Sequence, residues 1–314
     1  MKELIEYKNY RDALIAAIAD LAREHQDIVF LDADVSSCIG STAFQKEFPD
    51  RFFNVGIAEA NMAAMAGGMA SAGLTPFIHS FGVFASRRMY DQLFLSVGYT
   101  LQTVHVIGSD PGIVAQYNGG THMPFEDIAL MRQIPDMVVY EPSDARSLCS
   151  LVKQVYDNGV LSYLRTPRKG ISFRYPESVE IRLGKAITAR EGSDVAIIAT
   201  GVHMMNQAML AADSLAQKGI SARVIDLHTI RPLDTETVEK AAREIGRIIV
   251  CENGRYPGGT GEMIAAHILR AGIPCRADFV NVGDRYGEVG PLDYLAKSFD
   301  LTAENIAAKA EKLM

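Results

Sequence analysis

The sequence predicts an α/β protein made of two domains, each built on a parallel β-sheet. Short runs rich in β-branched residues alternate with amphipathic helical stretches, an order typical of parallel strands joined by crossover helices. The chain has 314 residues, which is longer than a single hydrophobic core usually grows. A polar stretch without periodicity, residues 168–193, separates two such alternating regions. We therefore expect one domain over residues 1–175 and a second over residues 190–314.

The first domain is expected to begin with an amphipathic helix over residues 10–24, where Leu14, Ile18 and Leu21 recur at spacings of three and four. The elements expected after it are, in order, a strand in "DIVFLDADV", a helix over 58–72, the strand "TPFIHSF", a helix over 85–98, the strand "TVHVIG", a helix over 126–132, the strand "MVVYEP", a helix over 144–157 and the strand "LSYLRT". Each strand is followed by a helix long enough for a crossover, so we expect the strands to run parallel.

The second domain repeats this alternation on a smaller scale. Its expected elements are a strand over 194–200, a helix over 204–218, the strand "SARVIDLHT", a helix over 235–245, the strand "RIIVCEN", a helix over 261–271, the strand "ADFVNVG" and terminal helices. The pattern predicts a second parallel sheet.

Composition excludes several classes of partner and points to the cytoplasm. The net charge is −7 and the basic residues are scattered, which argues against nucleic acid or an anionic membrane surface as the main partner. The four cysteines form no C-x-x-C pair, and the N-terminus mixes charges at helical spacing, unlike a signal peptide. Residues 60–86 carry no charged side chain, but Pro76 and His79 interrupt them, so we expect a buried helix and strand rather than a membrane span.

One acidic residue stands out in the stretch "NVGIAEANMAAMAGGMASAG". Glu59 precedes about a dozen residues that are nearly all small or apolar. A carboxylate buried in such surroundings is costly unless it is paired, neutralised or used in chemistry. The alternative interpretation is a first-turn acid favoured by the helix dipole.

Two further features have a structural and a functional interpretation. Phe81 and Phe84 follow the next strand at a spacing of three, which suits either a hydrophobic core or a stacking site. His122 lies in the loop "YNGGTHMPFED", where two glycines free the backbone. A loop histidine is more often solvated or structural than catalytic.

These features occur within longer segments that resemble a known family. The segments "FFNVGIAEANMAAMAGGMASAGLTPFIHSFGVFASRRMYDQ", "DPGIVAQYNGGTHMPFEDIALMRQIPDMVVYEPSDA" and "YLRTP" resemble the pyrimidine-binding domain of transketolases and of 1-deoxy-xylulose-5-phosphate synthase. The second half, above all "ISARVIDLHTIRPLD", is similar to their C-terminal domain. The likeness covers almost the whole chain in the family's order.

The resemblance implies thiamine diphosphate as the cofactor and gives the acid a role. Glu59, in "GIAE", matches the glutamate that hydrogen-bonds the cofactor's aminopyrimidine ring and promotes its reactive tautomer. Phe84 matches the aromatic residue that stacks on that ring, and Phe81 lies beside it. Ile57 and Arg87 complete the cofactor-binding set that the resemblance implies.

The resemblance also implies a set of residues that bind a sugar phosphate. His122, in "GGTH", matches a substrate-facing histidine that we expect to be catalytic, and Arg165 and Arg11 match arginines that bind the sugar phosphate. The remaining substrate contacts implied are Asp34, Ser36, His79 and Asn118. Asn118 stands where the family commonly has Asp, and "GSDPG" replaces a segment that usually carries a phosphate-contacting histidine, so donor preference is expected to differ.

The expected magnesium ligands are missing from this sequence. In the superfamily they follow a G-D-G motif in a separate domain, and the only Gly-Asp here is Gly283-Asp284. We therefore expect the C-terminal subunit of a split enzyme, which binds Mg²⁺ and the diphosphate through an N-terminal partner subunit. A homodimer contact through the small-residue helix would give an α2β2 assembly, as the resemblance implies.

Other functions fit the sequence less well. A nucleotide-dependent oxidoreductase lacks its fingerprint, because Ile264 stands where "GGTGEMI" would need glycine, and no G-x-S-x-G motif indicates a hydrolase. Docking alone, in a non-catalytic assembly subunit, would not require Glu59, Phe84 and His122. A β subunit of a 2-oxoacid dehydrogenase or a deoxyxylulose phosphate synthase type of enzyme remains the alternative to transfer of a two-carbon ketol unit between sugar phosphates in pentose phosphate metabolism.

Overall fold

The computed structural model describes residues 7–314, which form two compact units. The first comprises the residues up to Pro111 together with Leu130–Leu183. The second comprises Gly112–Ala129 and Gly184–Met314. The loop that carries His122 therefore belongs to the second unit, although the strand before it belongs to the first.

The first unit alternates strands with helices, as expected. Its elements are, in chain order, α1 (Tyr10–Glu24), β1 (Ile28–Asp32), α2 (Ser36–Ile39), α3 (Thr42–Glu47), β2 (Phe52–Asn54), α4 (Glu59–Ser71), β3 (Thr75–Phe81), α5 (Gly82–Arg87), α6 (Tyr90–Gln92), β4 (His105–Ser109), α7 (Asp127–Met131, which crosses into the second unit), β5 (Val138–Tyr140), α8 (Ala145–Asp157) and β6 (Ser162–Thr166). Within this unit the strand order is β5-β6-β4-β3-β1-β2, and every neighbouring pair is parallel.

The central strands of this sheet are buried on both faces. All five residues of β1, of β4 and of β6 are buried. Such strands read as continuous apolar runs because helices cover both sides of a parallel sheet. At their carboxyl ends the chain leaves the sheet, and this edge holds the polar residues of the candidate site.

The helix predicted over residues 85–98 is wrong in detail. The chain forms α5, turns at Met89, continues in α6 and ends in a π-helical turn over Leu93–Gly98. The π turn packs against α4, where an added Cβ on Gly67 would lie 2.5 Å from the Ser96 carbonyl oxygen. This close approach explains why α4 needs small residues on that side. The short elements α2, α3 and β2 have too few residues to show a period, so the sequence pattern does not predict them.

The second unit is built on a five-stranded sheet with helices on both faces, and its short strand β10 lies outside that sheet. Its elements are β7 (Ile187–Arg190), β8 (Val195–Ala199), α9 (Gly201–Gln217), β9 (Ala222–Asp226), β10 (Thr229–Arg231), α10 (Thr235–Ile245), β11 (Arg247–Cys251), α11 (Thr260–Arg270), β12 (Arg276–Val280), α12 (Leu292–Ser298) and α13 (Ala303–Leu313). The order is β12-β11-β8-β9-β7. Helices α9 and α13 share one core cluster with Ile113, Met123 and Phe125, while α10 and α11 share the other.

The sheet of the second unit is not wholly parallel, which corrects the prediction. Strand β7 pairs with β9 in the antiparallel sense, whereas β8, β9, β11 and β12 are parallel. Residues 191–194 join β7 to β8, and so short a connection cannot make the crossover that a parallel orientation requires. The chain therefore reverses, and β7 runs against its neighbour.

Candidate active site

Glu59 is buried and ion-paired. It is the first residue of α4, and only 4% of it is exposed. Nη1 of Arg88 donates to both carboxylate oxygens, at 2.9 and 3.2 Å, and the hydroxyl of Ser80 donates at 3.3 Å. The cost of burying the charge is offset by this partner.

The same guanidinium lies on an aromatic ring. Cζ of Arg88 is 3.8 Å from the centroid of the Phe84 ring, which is a favourable cation–π distance. The Phe81 ring meets Phe84 edge-on, with centroids 6.3 Å apart. Nearly half of the Arg88 side chain is exposed, so one side of the guanidinium faces solvent.

Sequence reasoning selected the neighbouring arginine, Arg87, which is exposed. The spacing of four between Phe84 and Arg88 was the signal that could have identified the pair, since residues four apart meet on a helix surface. Ile57, the other predicted cofactor contact, is 76% exposed. Its large apolar side chain stands in solvent close in sequence to Glu59.

This arrangement fits an aminopyrimidine. The guanidinium of Arg88 is a planar, hydrogen-bonding cation that contacts the Phe84 ring and donates to the Glu59 carboxylate. An aminopyrimidine ring, with its flat face and ring nitrogens, would suit the same two partners. Glu59 and Phe84 therefore suit the aminopyrimidine of thiamine diphosphate. The Arg88 guanidinium occupies the position between them that this ring would take.

His79 lies in a buried network rather than at the surface. Its Nδ1 is 2.9 Å from Oδ2 of Asp32 on β1, and its Nε2 is 3.1 Å from Oγ of Ser109 at the end of β4. All three side chains are fully buried. The network has the residue types of a hydrolytic triad, but a buried Ser109 cannot attack a substrate. We conclude that it ties three parallel strands together where they reach the site.

Arg165 is also fully buried. It lies on β6, and Nη1 donates to Oε2 of Glu141 at 2.9 Å. Neither side chain has more than 3% exposure. Its role in binding a sugar phosphate stays a prediction, and the carboxylate of Glu141 already balances its charge.

Arg11 and Ser36 lie at the carboxyl edge of the first sheet. Nη1 of Arg11 donates to the Cys38 carbonyl oxygen at 3.0 Å, which holds the guanidinium against α2. Arg11 Nε and Ser36 Oγ are buried atoms without a hydrogen-bond partner among residues 7–314. Asp34 is exposed, has a left-handed φ of 64° and accepts from Asn54 Nδ2 at 3.0 Å.

Arg168 and Asp110 form an ion pair that the sequence did not reveal. Oδ2 of Asp110 accepts hydrogen bonds from both Nε and Nη2 of Arg168, the first at 2.8 Å. Burial alone would lower the pKa of Arg168, but its bonds and charge pairing with Asp110 outweigh burial and raise it. Cζ of Arg168 lies 5.0 Å from the Phe81 ring centroid. No sequence pattern signals this pair, because its members are far apart along the chain.

The second unit positions the loop that holds His122 and Asn118. Oδ1 of Asn253 accepts from the Ile113 amide at 3.0 Å, and the Arg255 amide donates to the Phe125 carbonyl at 2.8 Å. Nδ1 of His122 is 2.9 Å from Oγ1 of Thr121. His122 is half-buried and Asn118 is exposed.

The glycine-rich turn before α11 is closed by internal carboxylates. Glu252 is buried and accepts from the amides of Thr260 at 2.6 Å and Gly261 at 3.1 Å. Glu262 accepts from the Gly258 amide. These bonds take up the amides that an anion would use at a helix N-terminus.

No group of three or more His, Cys, Asp or Glu side chains among residues 7–314 is placed to hold a metal ion. In the same part of the chain, no helix has the length and apolar character needed to cross a membrane.

Two family models match this chain, one over each half of the sequence. The sequence matches the family described as "Transketolase, pyrimidine binding domain" over residues 6–172 and the one described as "Transketolase, C-terminal domain" over residues 184–306. It is 43% identical to the 6-deoxy-6-sulfo-D-fructose transketolase subunit SqwH of Clostridium sp. (strain MSTE9), covering 96% of this chain and 94% of that protein.

Two further comparisons agree with this. The chain is 34% identical to an apulose-4-phosphate transketolase subunit of Phocaeicola vulgatus, with 86% of this chain and 85% of that protein covered. A solved structure described as "Split gene transketolase, inactive beta4 tetramer" matches with a TM-score of 0.88 and 33% identity, over 98% of both chains. The resemblance and the fold class predicted from the sequence are confirmed.

Proposed function

The chain belongs to the transketolase family, as a C-terminal subunit of the split type, and from this premise we propose that it transfers a two-carbon ketol unit together with an N-terminal subunit. The donor is a ketose with an anionic group at its far end, expected to be a phosphate, and the acceptor is an aldose phosphate. The two domains of this subunit would be residues 1–175 and 190–314, the first six of which lie outside the described structure.

One observation carries this proposal: the buried Glu59 carboxylate meets a planar cation that lies on the Phe84 ring. A subunit that only docks would not need a buried acid paired in this way. The contacts suit the aminopyrimidine of thiamine diphosphate, which supplies, when bound, a carbon nucleophile that opens the bond next to a ketone.

The positions of three residues support the roles that we propose for them. Glu59 accepts a hydrogen bond in a site shielded from water, where such a bond is stronger than in solution. Phe84 offers a ring face for stacking. His122, half-buried in its loop beside Thr121, would hydrogen-bond a sugar hydroxyl or carbonyl and move its proton.

Magnesium and the diphosphate are assigned to the partner subunit. Carboxylate and carbonyl oxygens are the ligands Mg²⁺ prefers, and the G-D-G motif that precedes them in the superfamily is missing from this sequence. A solved relative is described as an inactive β4 tetramer, which supports dependence on a partner. We expect an α2β2 complex in the cytoplasm, with a homodimer contact through α4 and no nucleic-acid or membrane partner.

The donor is a sugar with a terminal anion, as the names of two relatives suggest. One relative is named for a sulfonated fructose and the other for a ketose phosphate. Both names describe a ketose with an acidic group at the end away from the carbonyl. We carry this common chemistry over to the present chain.

The test is reconstitution with the N-terminal partner. The complex, supplied with thiamine diphosphate and Mg²⁺, is given ketose donors and aldose acceptors, and products are identified by mass. Glu59→Gln should reduce turnover at least about 100-fold while assembly is unchanged. Glu47→Gln, which removes the carboxylate of an exposed arginine pair, is the matched control and should be fully active. Unchanged turnover in Glu59→Gln would favour a non-catalytic assembly subunit, and turnover of pyruvate without a sugar donor would favour a 2-oxoacid enzyme.

A further inference from the structure

Arg11 and Arg168 lie close together at the carboxyl edge of the first sheet, and both guanidinium groups lie beside Cys38. The Arg11 amide donates to the Arg168 carbonyl oxygen at 3.1 Å, and Nη1 of Arg11 donates to the Cys38 carbonyl at 3.0 Å. Cys38 also lies beside the Arg168 guanidinium. Of these two arginines, the family resemblance implies only Arg11 as a substrate contact, so Arg168 is a second cation at this place.

Asp110 balances the charge of Arg168. One carboxylate oxygen accepts from Nε and Nη2 of the guanidinium, and both side chains are mostly buried, with 12% and 7% exposure. Asp110 has a left-handed φ of 59°, a conformation that Asp and Asn tolerate better than most residues. The pair is therefore fixed in position but carries no net charge.

The third arginine of this sheet edge is balanced in the same way. Glu141 pairs with the buried Arg165 at 2.9 Å. Arg165 lies on β6 opposite Gly108 of β4, two residues before Asp110. Of the two arginines expected to bind a phosphate, one thus has a buried carboxylate as its partner.

The charge that remains for a ligand comes mainly from Arg11. Its nearest carboxylate, Asp12, lies 3.5 Å away, and 40% of that side chain is exposed, so water screens it. The formal charges of Arg11, Arg168, Asp110 and Asp12 cancel, and about one positive charge remains once the screened Asp12 is discounted. A phosphate monoester carries about −1.5 to −2 at pH 7, whereas a sulfonate carries a single negative charge at any physiological pH. This set of charges matches a monoanion.

We propose that Arg11 and Arg168, with Asp110 as a positioning residue, form the subsite for the terminal anion of the donor and select a sulfonate over a phosphate. This inference rests on the proposed function for the sugar but depends on the anion alone. Oγ of Ser36 is buried and has no hydrogen-bond partner among the described residues, and Nε of Arg11 has only the ion-pair contact of 3.5 Å with Asp12, so both can donate to the anion's oxygens. A sulfonate thus replaces the phosphate as the terminal anion that we expect on the preferred donor.

The experiment measures binding without reaction. The complex of this chain with its N-terminal partner, thiamine diphosphate and Mg²⁺ is titrated calorimetrically with 6-deoxy-6-sulfo-D-glucitol and with D-glucitol 6-phosphate. Neither alditol has a carbonyl, so binding does not depend on turnover. The sulfonate should bind at least about tenfold more tightly at pH 7.5, as expected for one unmatched charge near a protein surface.

Two changes should reduce the difference in affinity between the sulfonate and the phosphate. At pH 5.5 the phosphate becomes largely a monoanion, since its second pKa is about 6. Asp110→Asn adds one positive charge and keeps a residue that tolerates the left-handed backbone, so the preference at pH 7.5 should shift about tenfold toward the phosphate. Asp213→Asn, at the exposed Arg190 pair, is the matched control and should leave the preference unchanged.

The outcomes separate this inference from the proposed function. Equal or tighter binding of the phosphate by the unmodified complex at pH 7.5, binding of neither alditol, or an unchanged preference in Asp110→Asn would overturn the subsite. Turnover of ketose phosphates with phosphate-selective binding would leave the proposed function standing without the subsite. Sulfonate-selective binding without any ketol transfer would support the subsite and contradict the proposed function.

Discussion

Arg88 pairs with Glu59 across the face of the Phe84 ring: its guanidinium donates to both carboxylate oxygens, at 2.9 and 3.2 Å, while Cζ lies 3.8 Å from the ring centroid. The carboxylate is buried and the arginine is half-exposed. Arg88 thus donates hydrogen bonds to the buried carboxylate of Glu59 from the side that faces solvent. Any ligand that is to contact both Glu59 and Phe84 must move this side chain aside.

Replacing Arg88 should therefore affect stability and ligand binding in opposite directions. In the chain alone, Arg88→Ala should lower the free energy of unfolding by about 1–3 kcal/mol, because a buried acceptor loses its partner. In the assembled complex it should tighten binding of thiamine diphosphate, because an internal competitor is gone. Urea unfolding and calorimetry measure the two effects. Arg23→Ala, at the exposed Glu47 pair, should change neither by much, and weaker cofactor binding in Arg88→Ala would show that Arg88 helps to bind the cofactor rather than competing with it.

The chain by itself should bind thiamine diphosphate weakly or not at all. Its described residues include Glu59 and Phe84, which we propose contact the pyrimidine, whereas the G-D-G motif expected before the Mg²⁺ ligands is missing from the sequence. Titration of the purified chain with the cofactor and Mg²⁺, followed by calorimetry, is the measurement. Tight one-to-one binding without a partner would contradict the assignment to a split enzyme.

The pair of Arg165 and Glu141 should be sensitive to the loss of either member. Both side chains are buried, so Glu141→Gln removes the carboxylate that pairs with Arg165 at 2.9 Å and should cost about 3–5 kcal/mol of unfolding free energy. The double variant Glu141→Gln with Arg165→Met should cost less than the sum of the single changes. Additive losses in urea unfolding would mean that the two side chains do not depend on each other.

Stability should fall below about pH 6.5 because of His105. Burial lowers the pKa of this histidine to about 3, and its ring packs against Phe77 and contacts the Ser162 hydroxyl. Below pH 6.5 the unfolded chain takes up a proton that the folded chain refuses, so unfolding becomes more favourable by about 1.4 kcal/mol per pH unit. Between pH 7.5 and 5.0, His105→Gln should therefore lose about 2 kcal/mol less than the unmodified chain. Urea unfolding at the two pH values measures these losses. If the variant and the unmodified chain lose the same free energy of unfolding, His105 accepts a proton while folded.

Two adjacent glycines of α4 should respond oppositely to alanine. A Cβ on Gly67 would lie 2.5 Å from the Ser96 carbonyl oxygen, whereas nothing lies within 4 Å of one on Gly68. In the chain alone, Gly67→Ala should destabilise by about 1–3 kcal/mol through overpacking, and Gly68→Ala should stabilise by about 0.5–1 kcal/mol through helix propensity. Thermal unfolding compares them directly. If Gly68→Ala prevents assembly of the complex, the exposed side of α4 is a subunit contact.

Most of the architecture could be predicted because it depends on local pattern. Strand β3 and helices α1 and α10 have the predicted bounds, and α4 and α8 agree to within a residue at each end. Apolar runs and helical periodicity report burial directly, since each strand lies between two layers of helices. The antiparallel β7 and the broken helix after β3 could not be predicted, because contacts with neighbouring elements decide them.

In the candidate site, too, some features could be predicted from the sequence and others depend on tertiary contacts. The sequence by itself determined which residue types the chemistry has available: the acid at 59, the ring at 84, the histidine at 122 and the arginines at 11 and 165. Only the tertiary structure decided their partners, placing Arg88 on Glu59, Glu141 on Arg165 and Asp110 on Arg168. The physical reason is that charge pairing in a buried site depends on distances of a few ångströms between residues up to 58 positions apart, and folding alone sets those distances.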